Sequence, residues 1–253
     1  MNEEAVSEII GFIIIFGIVV TSIGIVYANA VPQLQESREV ENVQNAERAF
    51  SVLQSNIDDV AVRQAPSRST QIRLQGSTID ILDGSETSIN VTIDAGGSTF
   101  SRQYAYSPIV YTNTNDLRIV YENGAVFRSI RDGGSGMTYK PNWRINEDVA
   151  VIPIIRTIGV PVSASGTSTV LVRACASNCD NPQRNVATNV TEGSGNVELN
   201  VTVESPRVDG WEIYMRGFES DGLAKDVGRS GDTVYMQVDN LDKVVRTENA
   251  VEL

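Results

Sequence analysis

From Ile9 to Ala28 the chain runs twenty residues without a charge, directly after Glu8. At about 1.5 Å of rise per residue, a helix of that length spans roughly 30 Å, the thickness of a bilayer's hydrocarbon core. Residues 5–31 are therefore expected to form a transmembrane or assembly helix. Pro32 lacks an N–H and its ring crowds the preceding turn, so it is expected to end or kink that helix near Val31. Further on, Val43, Ala46, Phe50, Leu53, Ile57 and Val60 recur at spacings of three and four, an apolar stripe with polar residues on the other faces. Residues 32–66 thus read as an amphipathic helix whose stripe packs on the domain that follows.

After Thr70 the period changes to two. Alternating segments at 70–75, 77–82, 88–93 and 197–203 lie between clusters of Gly, Asp, Ser and Asn, the pattern of half-buried antiparallel strands. Further strands are expected at 117–121, 125–130, 149–155, 169–174, 211–216 and 233–238, with turns at Gln75-Gly76, Asp83-Gly84, Asn123-Gly124 and Asp209-Gly210. The fold class is α+β: a long N-terminal helix followed by an all-β antiparallel sandwich at 67–253. One domain is preferred over two joined near the Gly-rich stretch 132–136.

Charge and composition narrow the chemistry. With 32 Asp plus Glu against 20 Lys plus Arg, the formal charge is −12, which disfavours a basic patch for nucleic acid or anionic lipid. Lys140, Lys225 and Lys243 are the only lysines. An acidic, arginine-over-lysine surface stays hydrated at high salt and resembles haloarchaeal composition; an acidic mesophilic protein is the alternative. The chain has no histidine, the commonest general base and metal ligand, and two cysteines do not make a structural zinc site. Asp58-Asp59 and the pair Asp239 and Asp242 lack calcium-loop spacing. No catalytic residue, cofactor or metal is assigned, and the chain reads as a non-enzyme. Trp143 and Trp211 are expected in the core or at a sheet edge.

Gly17, Thr21, Gly24 and Ala28 stack small side chains on one face of the apolar helix. Such a face lets helices approach closely in lipid, although small residues are also common in membrane spans that pack on nothing. No Lys or Arg precedes the apolar block, unlike an ordinary signal peptide; Ala28 and Ala30 would flank the nearest signal-peptidase-like site. The stretch Ala5-Val6-Ser7-Glu8-Ile9-Ile10-Gly11-Phe12 resembles the start of archaeal type IV pilins and pilin-like proteins. That resemblance implies a leader at 1–4, removed between Glu4 and Ala5 by a prepilin-type peptidase. It also implies a retained helix that bundles with other subunits, and a near-terminal carboxylate, Glu8, paired with the amino terminus of a neighbour. Leaders of that family usually end in Lys or Arg, where this chain has Glu3 and Glu4. An uncleaved, singly anchored surface binding protein is the alternative.

Three sequons, Asn90-Val-Thr, Asn189-Val-Thr and Asn200-Val-Thr, are candidate N-glycosylation sites if the β domain lies outside the cell. Cys175 and Cys179 would close a small loop, as a disulfide in an oxidising exterior or as two reduced thiols. Together with the short N-terminal flank, these features favour a single-pass cell-membrane location with the β domain outside.

Overall fold

The computed structural model describes residues 3–84, 87–130, 133–176 and 186–252, apart from the side chains of 3–9, 35, 36, 186 and 252. A single helix, α1 (Glu3–Ala61), precedes the strands. The chain divides into two compact units, Met1–Asn45 and Ala46–Leu253, and the end of α1 belongs to the second. Of the two outcomes expected at Pro32, ending the helix does not occur: helical structure continues through it. Its missing N–H and crowded turn cost about 3 kcal/mol, which the helical turns on either side offset.

Among the described residues, the second unit contains, after the end of α1, fifteen strands and one short helix, in the order β1 (Ser67–Arg73), β2 (Thr78–Ile81), β3 (Ser88–Ala95), β4 (Ser98–Ala105), β5 (Ile109–Thr112), β6 (Leu117–Glu122), β7 (Ala125–Ile130), β8 (Ser135–Tyr139), β9 (Arg144–Ile145), β10 (Val149–Ile158), β11 (Val162–Ser165), β12 (Thr169–Ala176), β13 (Val186–Glu204), α2 (Val208–Ser220), β14 (Asp226–Ser230) and β15 (Thr233–Glu252). The larger sheet runs β1-β12-β15-β13-β3-β4, with β10 and β14 also on β15 and β9 on β10; the smaller runs β11-β2-β5-β6-β7-β8. Pairing is antiparallel except between β10 and β15, which are parallel from Val149↔Lys243 to Ile158↔Glu252. The expected sandwich is thus mostly, not wholly, antiparallel.

Two long strands organise the larger sheet. The first part of β15 lies between β13 and β14, its second part between β13 and β10. Between them the β13–β15 register shifts around Glu192, Val197 and Leu199, and such irregularities bend and twist a strand. The bend lets one strand serve two sets of neighbours. In the smaller sheet Asn123 and Gly124 join β6 to β7 with φ of 42° and 80°, the left-handed pair of a two-residue hairpin turn. Asn123 is buried, and its Oδ1 accepts a hydrogen bond from the Ile155 N–H at 2.9 Å. The turn is thereby tied to β10.

The apolar stripe on the end of α1 is core of this unit: Phe50, Leu53, Ile57 and Val60 are buried, and the Phe50 ring meets Tyr111 edge-on at 6.4 Å. Polar side chains fix the helix beside it. The Gln54 amide donates to the carbonyl oxygens of Gly124 at 2.6 Å and Lys140 at 2.9 Å, and Asn56 donates to Thr70 Oγ1 at 2.8 Å.

The segment 211–216, expected as a strand, is the middle of α2, and Asp209-Gly210, expected as a turn, is its first turn. Trp211, Ile213 and Met215 alternate with polar neighbours, so the stretch carries a period-two signal. A helical face made by Val208, Trp211, Tyr214, Met215 and Phe218 buries more, at the expense of Ile213, left 70% exposed. Arg216 pairs with Glu212 and Glu219, one turn away on either side, a spacing that supports a helix. Trp211 stacks with Trp143 and tilts against Phe127, each at 5.5 Å between ring centres. Gly210 permits this packing: a Cβ there would lie 2.7 Å from Phe127 Cε1. The Gly-rich stretch 132–136, weighed as a linker, runs into β8 at Ser135; Asp132 is outside the described residues.

Two predictions follow from the packing of this unit. Gly210→Ala forces Phe127 to move and should destabilise the β unit by about 1–3 kcal/mol in denaturant unfolding, the usual cost of overpacking. Asp58, on the end of α1 well beyond the apolar stretch, has a carboxyl that burial pushes up from 3.8 to about 6; Asp59 adds to this, while Arg63 and a 2.5 Å hydrogen bond from Asn142 oppose it. Because the folded form holds this proton more tightly, stability should fall as pH rises from about 4 to 6. Asp58→Asn should match the parent near pH 4 and gain up to about 3 kcal/mol above pH 6, measured by denaturation at both pH values.

Candidate functional site

The stretch set apart by its sequence is also set apart in the structure. Within Met1–Asn45 the large side chains of the apolar run are uncovered, Phe12 at 69% and Ile15 at 64% exposure. The helix is long and apolar enough to cross a membrane. Its polar side chains turn inward on the backbone: Thr21 Oγ1 donates to the Gly17 carbonyl, Ser22 Oγ to Ile18 and Asn29 Nδ2 to Ile25, each at 2.7 Å. A hydroxyl or amide satisfied by the preceding turn needs no water, which suits a segment that leaves it.

Gly17, Thr21, Gly24 and Ala28 fall along this helix as their spacing requires. At Gly17 and Gly24 an added Cβ would meet nothing within 4 Å, so the face is open to another helix. Glu8 lies in α1, as do Glu4 and Ala5, but their side chains are outside the description.

The other sequence candidates are distributed over the larger sheet. Cys175, near the end of β12, is disulfide-bonded; the chain's other cysteine, Cys179, lies outside the described residues. Asn189 is exposed on β13. Asn90 and Asn200 are half-buried on adjacent strands, each opposite the threonine of the other's sequon, as Asn90↔Thr202 and Thr92↔Asn200. Asn189 is the most exposed of the three sequon asparagines.

One polar constellation was not anticipated from sequence. Glu122, at the end of β6, is 0% exposed. Its Oε1 accepts hydrogen bonds from Ser205 Oγ at 2.8 Å and Trp211 Nε1 at 2.6 Å, and its Oε2 from Arg207 Nε at 3.0 Å and Nη2 at 2.6 Å. Ser205 Oγ in turn accepts the Arg207 backbone N–H at 3.0 Å. Beside it Tyr106 is buried without a partner for its hydroxyl, and burial together with the Glu122 charge drives its ionisation well above the usual range. Arg207 also lines a cleft of about 380 Å³ with Arg118 on β6. The donors come from 83 to 89 residues beyond Glu122, so no local motif announces them. Among the described residues, no three of His, Cys, Asp or Glu gather to hold a metal.

Fold and helix together define a β unit carried behind an N-terminal helix able to cross a membrane. The chain belongs to DUF7289, a family of unknown function whose model matches residues 4–253. Over 79 residues it is 33% identical to an "Uncharacterized protein" of Archaeoglobus fulgidus, a match taking in 31% of this chain and 26% of that relative. The chain therefore matches about a quarter of the relative's length. No solved structure matches.

Removing the Glu122 charge leaves the Arg207 guanidinium buried without its counter-ion. Glu122→Gln should cost about 3–5 kcal/mol in denaturant unfolding, the usual penalty for breaking a buried pair from one side.

Proposed function

We propose that this chain is a non-enzymatic structural subunit of the cell surface that assembles through its N-terminal helix in the manner of an archaeal type IV pilin. The supporting observation is the uncovered apolar run of α1 with its open small-residue face. Burying one large aliphatic or aromatic side chain is worth about 1.5–3 kcal/mol, so a run of them in water is untenable. Lipid covers it first, and the helices of other subunits cover it on assembly, drawn together by packing at Gly17, Thr21, Gly24 and Ala28.

In this reading a prepilin-type peptidase frees Ala5, and its amino group meets Glu8 of a neighbouring subunit. An unpaired carboxylate entering lipid costs several kcal/mol, so the pair rewards assembly and sets its register. The β unit then lies outside, where Asn189 can carry a glycan and the acidic surface stays hydrated at high salt. A second reading, an uncleaved single-pass anchor whose β unit binds a ligand, is favoured by Glu3-Glu4 where related leaders carry Lys or Arg.

Glu8→Leu, expressed in the native host, tests the first reading. Filament yield should fall by roughly tenfold or more, the consequence of losing at least 1.4 kcal/mol per contact, with membrane levels of the protein maintained. Unaltered filament yield would remove Glu8 from assembly.

A further inference from the structure

We propose that the open edge of β12 takes up an extended acidic peptide segment of a partner protein as an added strand. β12 pairs along one side with β1, from Ser67↔Cys175 to Arg73↔Thr169, but with β15 only at Cys175 and Ala176. The Leu74 N–H donates to the Ser168 carbonyl and the Ala176 N–H to the Pro66 carbonyl, so the even-numbered residues of β12 bond to β1. By the alternation of an antiparallel ladder, Thr169, Leu171 and Arg173 direct their N–H and C=O groups to the other side. There, among the described residues, no strand meets them. Such a row of unpaired main-chain groups is a template for a further strand.

The surroundings of that edge specify the incoming segment. Ile81, Val162, Ala164 and Val170 line an apolar groove of about 330 Å³ beside it, and Val162 and Leu171 are 57% and 58% exposed. Ile79 pairs with Ala164 and Ile81 with Val162, so these side chains share one face of β2 and β11. A strand laid along β12 turns every second side chain into the groove, and apolar side chains there cover it from water. On the other face of β1 and β12, Ser69, Gln71 and Arg73 lie opposite Arg173, Leu171 and Thr169. Arg73 and Arg173 are exposed and make no ion pair among the described residues. Neither strand contains an acidic residue, on a chain whose formal charge is −12. Glutamates at the intervening positions of the incoming strand supply the opposite charge, the first of them as a cross-strand pair with Arg173. The site holds whether α1 assembles or only anchors.

Fluorescence anisotropy of a labelled, capped peptide, Val-Glu-Val-Thr-Val-Glu, on the intact chain in detergent at one fixed salt concentration tests the site. Its register places the first glutamate opposite Arg173 and the threonine opposite Leu171. Three controls lack in turn the charge, the apolar face and a main-chain donor: Val-Gln-Val-Thr-Val-Gln, Ser-Glu-Ser-Thr-Ser-Glu, and the first peptide N-methylated at its threonine. The first peptide should bind saturably and at least about tenfold more tightly than each control. Amide exchange over residues 169–173 should slow at least about tenfold on binding. Arg173→Gln should weaken binding at least about tenfold and keep the parent's melting temperature, its side chain being exposed and unpaired. Arg144→Gln, exposed on β9, should change neither. Should Arg173→Gln misfold, Val162→Asp, on an exposed residue of the groove, is expected to weaken binding by repulsion with the fold retained. Absence of saturable binding, equal binding of any control, or undiminished binding to folded Arg173→Gln would each overturn the proposal. Self-association of the chain that protects the same amides would also overturn it, assigning the edge to a second copy.

Discussion

Glu122 is a carboxylate without access to water, and the β unit is arranged so that four hydrogen bonds reach it. Placing an ion there costs several kcal/mol, repaid only with good geometry and every lone pair occupied. The donors meet that demand from one short segment, Ser205 to Trp211, which leaves β13 and starts α2. The interaction therefore locates the start of α2 against the end of β6, and so joins the last strand-and-helix passage of the larger sheet to the smaller sheet. The ring cluster of Trp143, Trp211, Tyr214 and Phe218, one stacked pair and two edge-on, follows from that placement. Gly210 lets the first turn of the helix come within reach of Phe127.

The N-terminal stretch obeys the opposite constraint. There the backbone is satisfied within the helix, its few polar side chains bond back to the preceding turn, and the apolar side chains have no protein cover. A β unit complete in its own core and a helix that needs an outside partner give the chain a division of labour. In the proposed role the helix supplies attachment and the β unit supplies surface.

The sequence carried the parts of this account that depend on local period. Twenty uncharged residues, the stripe Ala46-Phe50-Leu53-Ile57-Val60, and the alternation in β1, β3 and β13 were all readable, because each is a pattern carried by neighbours in the chain. Residues 211–216 misled because Trp211-Glu212-Ile213-Tyr214-Met215-Arg216 fits both periods, and the choice was made by what Trp211 packs against. Pro32 does not end the helix because long helical runs on both sides outweigh the local break. The parallel pairing of β10 with β15 and the Glu122 constellation were not legible: their partners lie some 83 to 94 residues apart, and only the folded topology brings them together.

In the proposed role, processing frees Ala5 and the retained helix is used for assembly. Its most direct test is the intact mass and N-terminal sequence of the protein recovered from its native membrane or surface filaments. The account predicts a chain beginning at Ala5, with the apolar helix retained. A chain beginning at Met1 would contradict processing and leave an anchored protein, and one beginning after Ala30 would contradict any lasting role for the helix.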